Sequence, residues 1–164
     1  YYTGDTSVVA TLQVGYISDR EGDSTGQVGG DADLDAVTVS GGTTRLTLDS
    51  AAAGTIIVTG GVVTLEGDQG ISQLTMSGEA VVNYNTTGTL GGNTILSDDA
   101  ELDFGQDMRT KTVTNPIEVY GSEAKVIDPN KVVSSLVLDY NYSDVKVGNS
   151  ELGNNCRITR GTPA

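Results

Sequence analysis

The stretch Ile56–Tyr84, IIVTGGVVTLEGDQGISQLTMSGEAVVNY, decides the fold, because it writes one pattern twice. Ile56-Ile57-Val58 is followed by Gly60-Gly61 and then Val63-Thr64-Leu65; Leu74-Thr75-Met76 is followed by Gly78 and then Val82-Asn83-Tyr84. Apolar residues two apart put one face of a short strand inward. Gly tolerates the positive φ that a sharp corner requires. Each unit therefore reads strand, corner, strand, looser connection.

The first triplet of the unit recurs in both directions from this stretch. It reads Leu12-Gln13-Val14, Val37-Thr38-Val39, Thr94-Ile95-Leu96, Ile117-Glu118-Val119, Leu136-Val137-Leu138 and Cys156-Arg157-Ile158. Across all eight triplets the final residues are 25, 19, 18, 20, 23, 19 and 20 positions apart. The second triplet recurs as Leu46-Thr47-Leu48, Leu102-Asp103-Phe104, Ala124-Lys125-Val126 and Val145-Lys146-Val147. A repeat of about 20 residues cannot bury its own apolar side and must stack on its neighbours.

The reading is an all-β, single-stranded parallel β-helix (solenoid) of about eight short coils, on the order of 40 Å long at roughly 4.8 Å per rung. An antiparallel sandwich is the alternative, but two triplets kept in constant phase over six repeats favour the helix. A left-handed helix needs a strict six-residue period, which these uneven coils lack, so the right-handed form is predicted. Residues 37–164 form the helix; residues 1–36 form an N-terminal arm and first coil, with a Gly- and Asp-rich excursion over 15–35 rather than a second domain.

Composition agrees. Aromatics are 5% of the chain, Trp is absent, and one Phe stands against 22 Gly, so the core is built of Val, Ile, Leu and Ala in thin layers. The net charge of −13 repels phosphate backbones and argues against nucleic-acid binding. No run approaches 18 apolar residues, so no membrane partner is expected. With no His, His-ligated metals and thiolate–imidazole catalysis are excluded. Lone Cys156 has no intrachain disulfide partner and occupies an inward position. The chain begins at Tyr1 with neither Met nor an apolar signal region, which reads as a removed leader or a fragment.

The middle residues of the triplets point outward. On the second strand they run Thr47, Thr64, Asn83, Asp103, Lys125 and Lys146, a solvated face. On the first they run Gln13, Thr38, Ile57, Thr75, Ile95, Glu118, Val137 and Arg157, with three large β-branched apolar residues facing water. Isolated surface apolars are common; the sharper reading is a stripe (Thr38, Ile57, Thr75, Ile95, Val137) that packs against another copy, as in a cyclic homotrimer.

Chemistry has few candidates. Asp31-Ala32-Asp33-Leu34-Asp35 spaces carboxylates at i, i+2, i+4 but lacks the Gly and distal Glu of a calcium loop. Asp98, Asp99, Glu101 and Asp103 resemble the acid clusters of β-helical polysaccharide lyases and hydrolases. Asp98 and Asp99, however, fall where the repeat places a corner, and corners favour Asp for backbone reasons. Interrupted threonine ladders (Thr38, Thr75, Thr47, Thr64) do not make a regular ice-binding array, and the sequons at Asn85 and Asn141 are frequent by chance. No catalytic residue, cofactor or metal is assigned.

Val58-Thr59-Gly60-Gly61-Val62-Val63-Thr64-Leu65, the stretch Asp103-Phe104-Gly105-Gln106-Asp107-Met108-Arg109 through Lys111-Thr112-Val113-Thr114-Asn115, and the tail Arg157-Ile158-Thr159-Arg160-Gly161 carry a resemblance. From about Val37 onward the chain resembles phage-encoded virion-type proteins predicted to form β-solenoids. The resemblance implies a structural, non-catalytic role on a phage particle, as a capsid decoration protein or a tail or fibre component. Its partners would be itself and the major capsid protein or other virion proteins. A tail or fibre β-helix that binds or cleaves polysaccharide, and a bacterial surface adhesin fragment, are the other classes.

Overall fold

The computed structural model of the chain describes the backbone of residues 2–3, 8–14, 23–25, 28–29, 33–48, 53–105, 111–121, 123–139 and 157–161, and the side chains of 37–48, 54–105, 111–121 and 123–138. The strands are β1 (Tyr2–Thr3), β2 (Val8–Val14), β3 (Asp23–Thr25), β4 (Val28–Gly29), β5 (Asp33–Val39) and β6 (Thr43–Leu48). They continue as β7 (Ala53–Val58), β8 (Val62–Gly67), β9 (Ile71–Met76), β10 (Val81–Tyr84), β11 (Thr89–Leu90) and β12 (Thr94–Leu96). The last are β13 (Glu101–Asp103), β14 (Thr112–Val113), β15 (Ile117–Val119), β16 (Lys125–Ile127), β17 (Ser135–Asp139) and β18 (Arg157–Gly161).

Two sheets collect them, and their strands pair in parallel. The first runs β2, β5, β7, β9, β12, β15, β17, β18, with β11 joined to β9 and β14; the second runs β1, β4, β6, β8, β10, β13, β16, with β3 on β6. The chain alternates between the sheets, which makes a parallel β-solenoid of about five turns. In the first sheet Val39, Val58, Met76, Leu96, Val119 and Leu138 are successive register partners. All six are buried, as are Val37, Ile56, Leu74, Ile117 and Leu136 two positions earlier. Each such side chain withdraws apolar area worth about 1.5–3 kcal/mol.

The second sheet supplies the facing columns. Val63, Val82, Leu102 and Val126 stack in register, and Leu65 lies beside Tyr84. Phe104 packs its ring on Tyr84, with centroids 5.4 Å apart and planes tilted by 54°. The Tyr84 hydroxyl donates to the Gly88 carbonyl at 2.8 Å, which satisfies a phenol that burial would otherwise leave stranded. Burial also pushes its pKa well above the usual tyrosine range.

Corners stack as tightly as strands. Gly42 and Gly61 both have positive φ, 74° and 79°, and Val62 N–H donates to Gly42 O at 2.8 Å. A Cβ on Gly61 would lie 2.4 Å from Gly42 O, so both conformation and space demand glycine there.

Three expectations about register are corrected. Leu46 pairs with Leu65 and Thr47 with Glu66, so the β6 triplet in phase with Val63-Thr64-Leu65 is Thr44-Arg45-Leu46, two residues earlier than predicted. Lys125 pairs with Glu101 and Ile127 with Asp103, so the β16 segment in phase with Leu102-Asp103 begins at Val126, two residues later. Ile158 pairs with Leu136, and Arg160 rather than Ile158 stands beside Leu138. Within the predicted excursion, Asp23–Thr25 and Val28 pair with β6 and extend the second sheet. Val145-Lys146-Val147 and Cys156 lie outside the described residues.

Candidate functional site

The parallel register places the five residues predicted to form a contact stripe on one outward line, with Glu118 between Ile95 and Val137. Thr38 pairs with Ile57, Ile57 with Thr75, Thr75 with Ile95, Ile95 with Glu118, and Glu118 with Val137. Gln13 precedes Thr38 in this line and Thr159 follows Val137, so Arg157 is not its last member. From Thr38 to Val137 every member is partly exposed, while the residues on either side of it in each strand are buried. An in-register ladder has side chains about 4.8 Å apart, so the β-branched groups of Thr38, Ile57, Thr75 and Ile95 stand shoulder to shoulder.

A second column escaped sequence reasoning. After five successive first-strand triplets the next residue is Ser40, Thr59, Ser77, Ser97 and Tyr120, a hydroxyl each time, whereas Val14 is followed by Gly15 and Leu138 by Asp139. These residues stay in the ladder: Thr59 N–H donates to Val39 O, Ser77 N–H to Val58 O, Ser97 N–H to Met76 O and Tyr120 N–H to Leu96 O, at 2.8–3.0 Å. The Ser97 hydroxyl also donates to Met76 O at 3.1 Å. The signal lies in the small or turn-forming residues that follow nearly all the triplets, four of these five being Ser or Thr. Tyr120 turns its hydroxyl onto a carboxylate oxygen of Glu118, the one acid in the stripe.

Of the acidic residues weighed for catalysis, the carboxylates of Asp98, Glu101 and Asp103 are employed by the backbone or by a lysine, and Asp99 is exposed. Asp98 has φ 55° and its Oδ2 accepts the Gly78 N–H at 2.9 Å. Asp99 N–H donates to Gly78 O at 3.1 Å. Glu101 Oε2 lies 3.5 Å from Lys125 Nζ on the next rung. Asp103, predicted to be solvated, is only 5% exposed, and its Oδ1 accepts the Gly105 N–H at 2.6 Å. The expectation that the whole outer face of the second sheet is solvated therefore fails at Asp103.

Among the described residues no group of three or more Cys, Asp or Glu side chains is placed to hold a metal, and no helix is long and apolar enough to cross a membrane. The side chains of Asp31-Ala32-Asp33-Leu34-Asp35 and the sequon at Asn141 lie outside the described residues. A shallow depression lined by Gly70, Ile71, Ser72, Thr89, Gly91 and Gly92 is mostly backbone and offers no charged group. No protein-family model, curated protein or solved structure matches the chain.

Proposed function

We propose that this chain is a structural, non-catalytic protein of a bacteriophage particle, a capsid decoration protein that stabilises or adorns the head. It is a right-handed helix of about eight coils, it assembles as a homotrimer, and it docks on the major capsid protein or another virion protein. The observation that carries the reading is the unbroken outward ladder Thr38–Ile57–Thr75–Ile95, a strip of β-branched side chains that alternates threonine with isoleucine on a parallel stack. Affinity in such a protein comes from buried surface rather than from bond-making. Three of the four acids that a polysaccharide-cleaving protein would need, Asp98, Glu101 and Asp103, are held in corners and ladder contacts, which supports a role without catalysis. The segments resembling virion β-solenoids supply the particle assignment.

Mass spectrometry of purified particles released from cells carrying the gene tests it. The chain should be present in many copies per particle. Its confinement to the particle-depleted lysate would refute the assignment, and release of oligosaccharides from a host-envelope polysaccharide by the pure chain would replace it with the polysaccharide-cleaving class.

A further inference from the structure

The turn Asp128-Pro129-Asn130-Lys131, between β16 and β17, joins a buried acid to an exposed proline. Ile127 pairs with Asp103 and its carbonyl accepts the Phe104 N–H at 2.9 Å, so Asp128 follows one rung beyond Phe104. Its carboxyl oxygens accept the Val132 N–H at 2.9 Å and the Val133 N–H at 2.8 Å. Its own backbone carbonyl accepts the Lys131 N–H at 3.2 Å. Lys131 holds a left-handed φ of 59°, which a lysine keeps only where its surroundings impose it. The Asn130 amide donates to Phe104 O at 3.3 Å. Pro129 seats its ring against Gly105, where a Cβ would stand 2.7 Å from the proline Cγ and 3.0 Å from Asp103 Oδ1.

We infer that this turn is a self-processing site, at which the Asp128 carboxyl cleaves the Asp128–Pro129 peptide bond. Sequence supplies the reactants side by side. An aspartate oxygen reaches its own carbonyl carbon through a five-membered ring, and proline offers a tertiary amide whose nitrogen carries no hydrogen. The fold supplies the rest. Burial raises the Asp128 pKa more than the backbone bonds lower it, so the carboxyl keeps its proton at a higher pH than an exposed aspartate does. The Val132 and Val133 amides donate to its oxygens and fix its place without consuming that proton. The Lys131 N–H already points at the carbonyl oxygen on which negative charge develops. Two charged groups flank the turn: exposed Lys131 at its end, and Asp103, whose Oδ1 is taken by the Gly105 N–H.

The step is a hydrolysis. One Asp128 carboxyl oxygen bonds to the Asp128 carbonyl carbon, and the carboxyl proton passes to the Pro129 nitrogen. The C–N bond breaks, leaving a cyclic anhydride at residue 128 and the secondary amine of Pro129 as a new N-terminus. Water adds to the anhydride and restores two carboxyl groups; nothing is oxidised or reduced. The pieces 1–128 and 129–164 stay together in the folded state, because Leu136 and Leu138 remain paired with Ile117 and Val119 and buried with Val133. The nick opens a seam at an exposed corner and releases the constraint on Lys131.

Intact-mass spectrometry after a denaturing quench tests this on the full chain, held for days at pH 5 with circular dichroism reporting the fold. Folded wild type should yield fragments 1–128 and 129–164 about tenfold or more faster than the same chain unfolded in urea at that pH, since a placed acid and a preset oxyanion donor each contribute at least that much. Pro129→Ala, which keeps the carboxyl and its amide partners but offers a poorer leaving group, should stay intact, as should Asp128→Asn. Fragments forming as fast or faster in urea would leave only the ordinary lability of an aspartyl–proline bond and overturn the site. An intact folded wild type, or equal cleavage in Pro129→Ala, would overturn it as well.

Discussion

Asp98 and Gly78 hold one another across successive rungs: the Asp98 carboxylate accepts the Gly78 N–H at 2.9 Å from a left-handed backbone with φ 55°. The turn continues upward, because a Cβ on Gly121 would lie 1.9 Å from Asp98 O. Asp is among the few non-glycine residues that tolerate this conformation, through short-range side-chain hydrogen bonding. Asp98→Ala loses both the tolerance and the bond and should cost about 1–2 kcal/mol, with Asp98→Asn retaining most of the stability. Urea unfolding monitored by circular dichroism measures both; equal midpoints for Asp98→Ala and wild type would remove the structural role of this carboxylate.

Thr94 stands in the inward column between Leu74 and Ile117. It is 1% exposed, and its hydroxyl finds no hydrogen-bond partner among the described residues. A buried hydroxyl without a partner costs about 1–3 kcal/mol relative to an apolar isostere. Thr94→Val should raise stability by about 1 kcal/mol, visible as a higher melting temperature. A lower one would mean the hydroxyl is satisfied in solution.

Asp128 is fully buried, and its carboxylate accepts the N–H groups of Val132 at 2.9 Å and Val133 at 2.8 Å. Burial raises its pKa above the usual aspartate value, more than these backbone bonds lower it. The folded state therefore holds the proton more tightly than the unfolded chain does. Its stabilising contribution is fully present below the unfolded value and fades as pH rises through the folded one. Wild type should gain stability relative to Asp128→Asn as pH falls from 7 toward 3.5, in paired denaturant titrations. The opposite slope would show that the backbone bonds outweigh burial. Asp128→Ala, which strands both amides, should cost about 2–4 kcal/mol at pH 7.

Ile57 and Ile95 are partly exposed, so a paired change to Lys should leave folding within about 1 kcal/mol of wild type while abolishing self-association. Light scattering at high protein concentration separates the two effects. An unchanged mass distribution would move the interface elsewhere.

Much of this architecture is legible in the chain, and its misreadings share one physical origin. Alternation fixes which residues point inward, and the triplet spacing adds the first-sheet register from Val14 to Leu138. A slip of two residues preserves that parity, so alternation cannot detect it, whereas a slip of one would reverse every face. Thr44, buried at an inward position beside Val63, reads as polar, and the eye passes to Leu46 and Leu48. Asp128, buried just beyond Ile127, likewise hides the segment starting at Val126. Arg160, beside Leu138, hides the last register in the same way. The stripe was visible as a list of middle residues; the hydroxyl column and the Tyr120–Glu118 bond needed the corners, where the number of residues between strands grows from three (Ser40–Gly42) to five (Tyr120–Ala124).

Rung-on-rung parallel stacking is the proposition from which the rest follows, and cysteine cross-linking on the second sheet reads it out directly. Thr64 and Asn83 are register partners, with Asn83 Nδ2 donating to Thr64 Oγ1 at 3.3 Å. In a Cys156→Ser background, Thr64→Cys with Asn83→Cys should close an intrachain disulfide under mild oxidation, since neighbouring strands bring Cα atoms about 4.8 Å apart. Thr64→Cys with Lys125→Cys, three rungs apart, should stay reduced. Cross-linking of the distant pair, with the neighbouring pair left open, would contradict the solenoid.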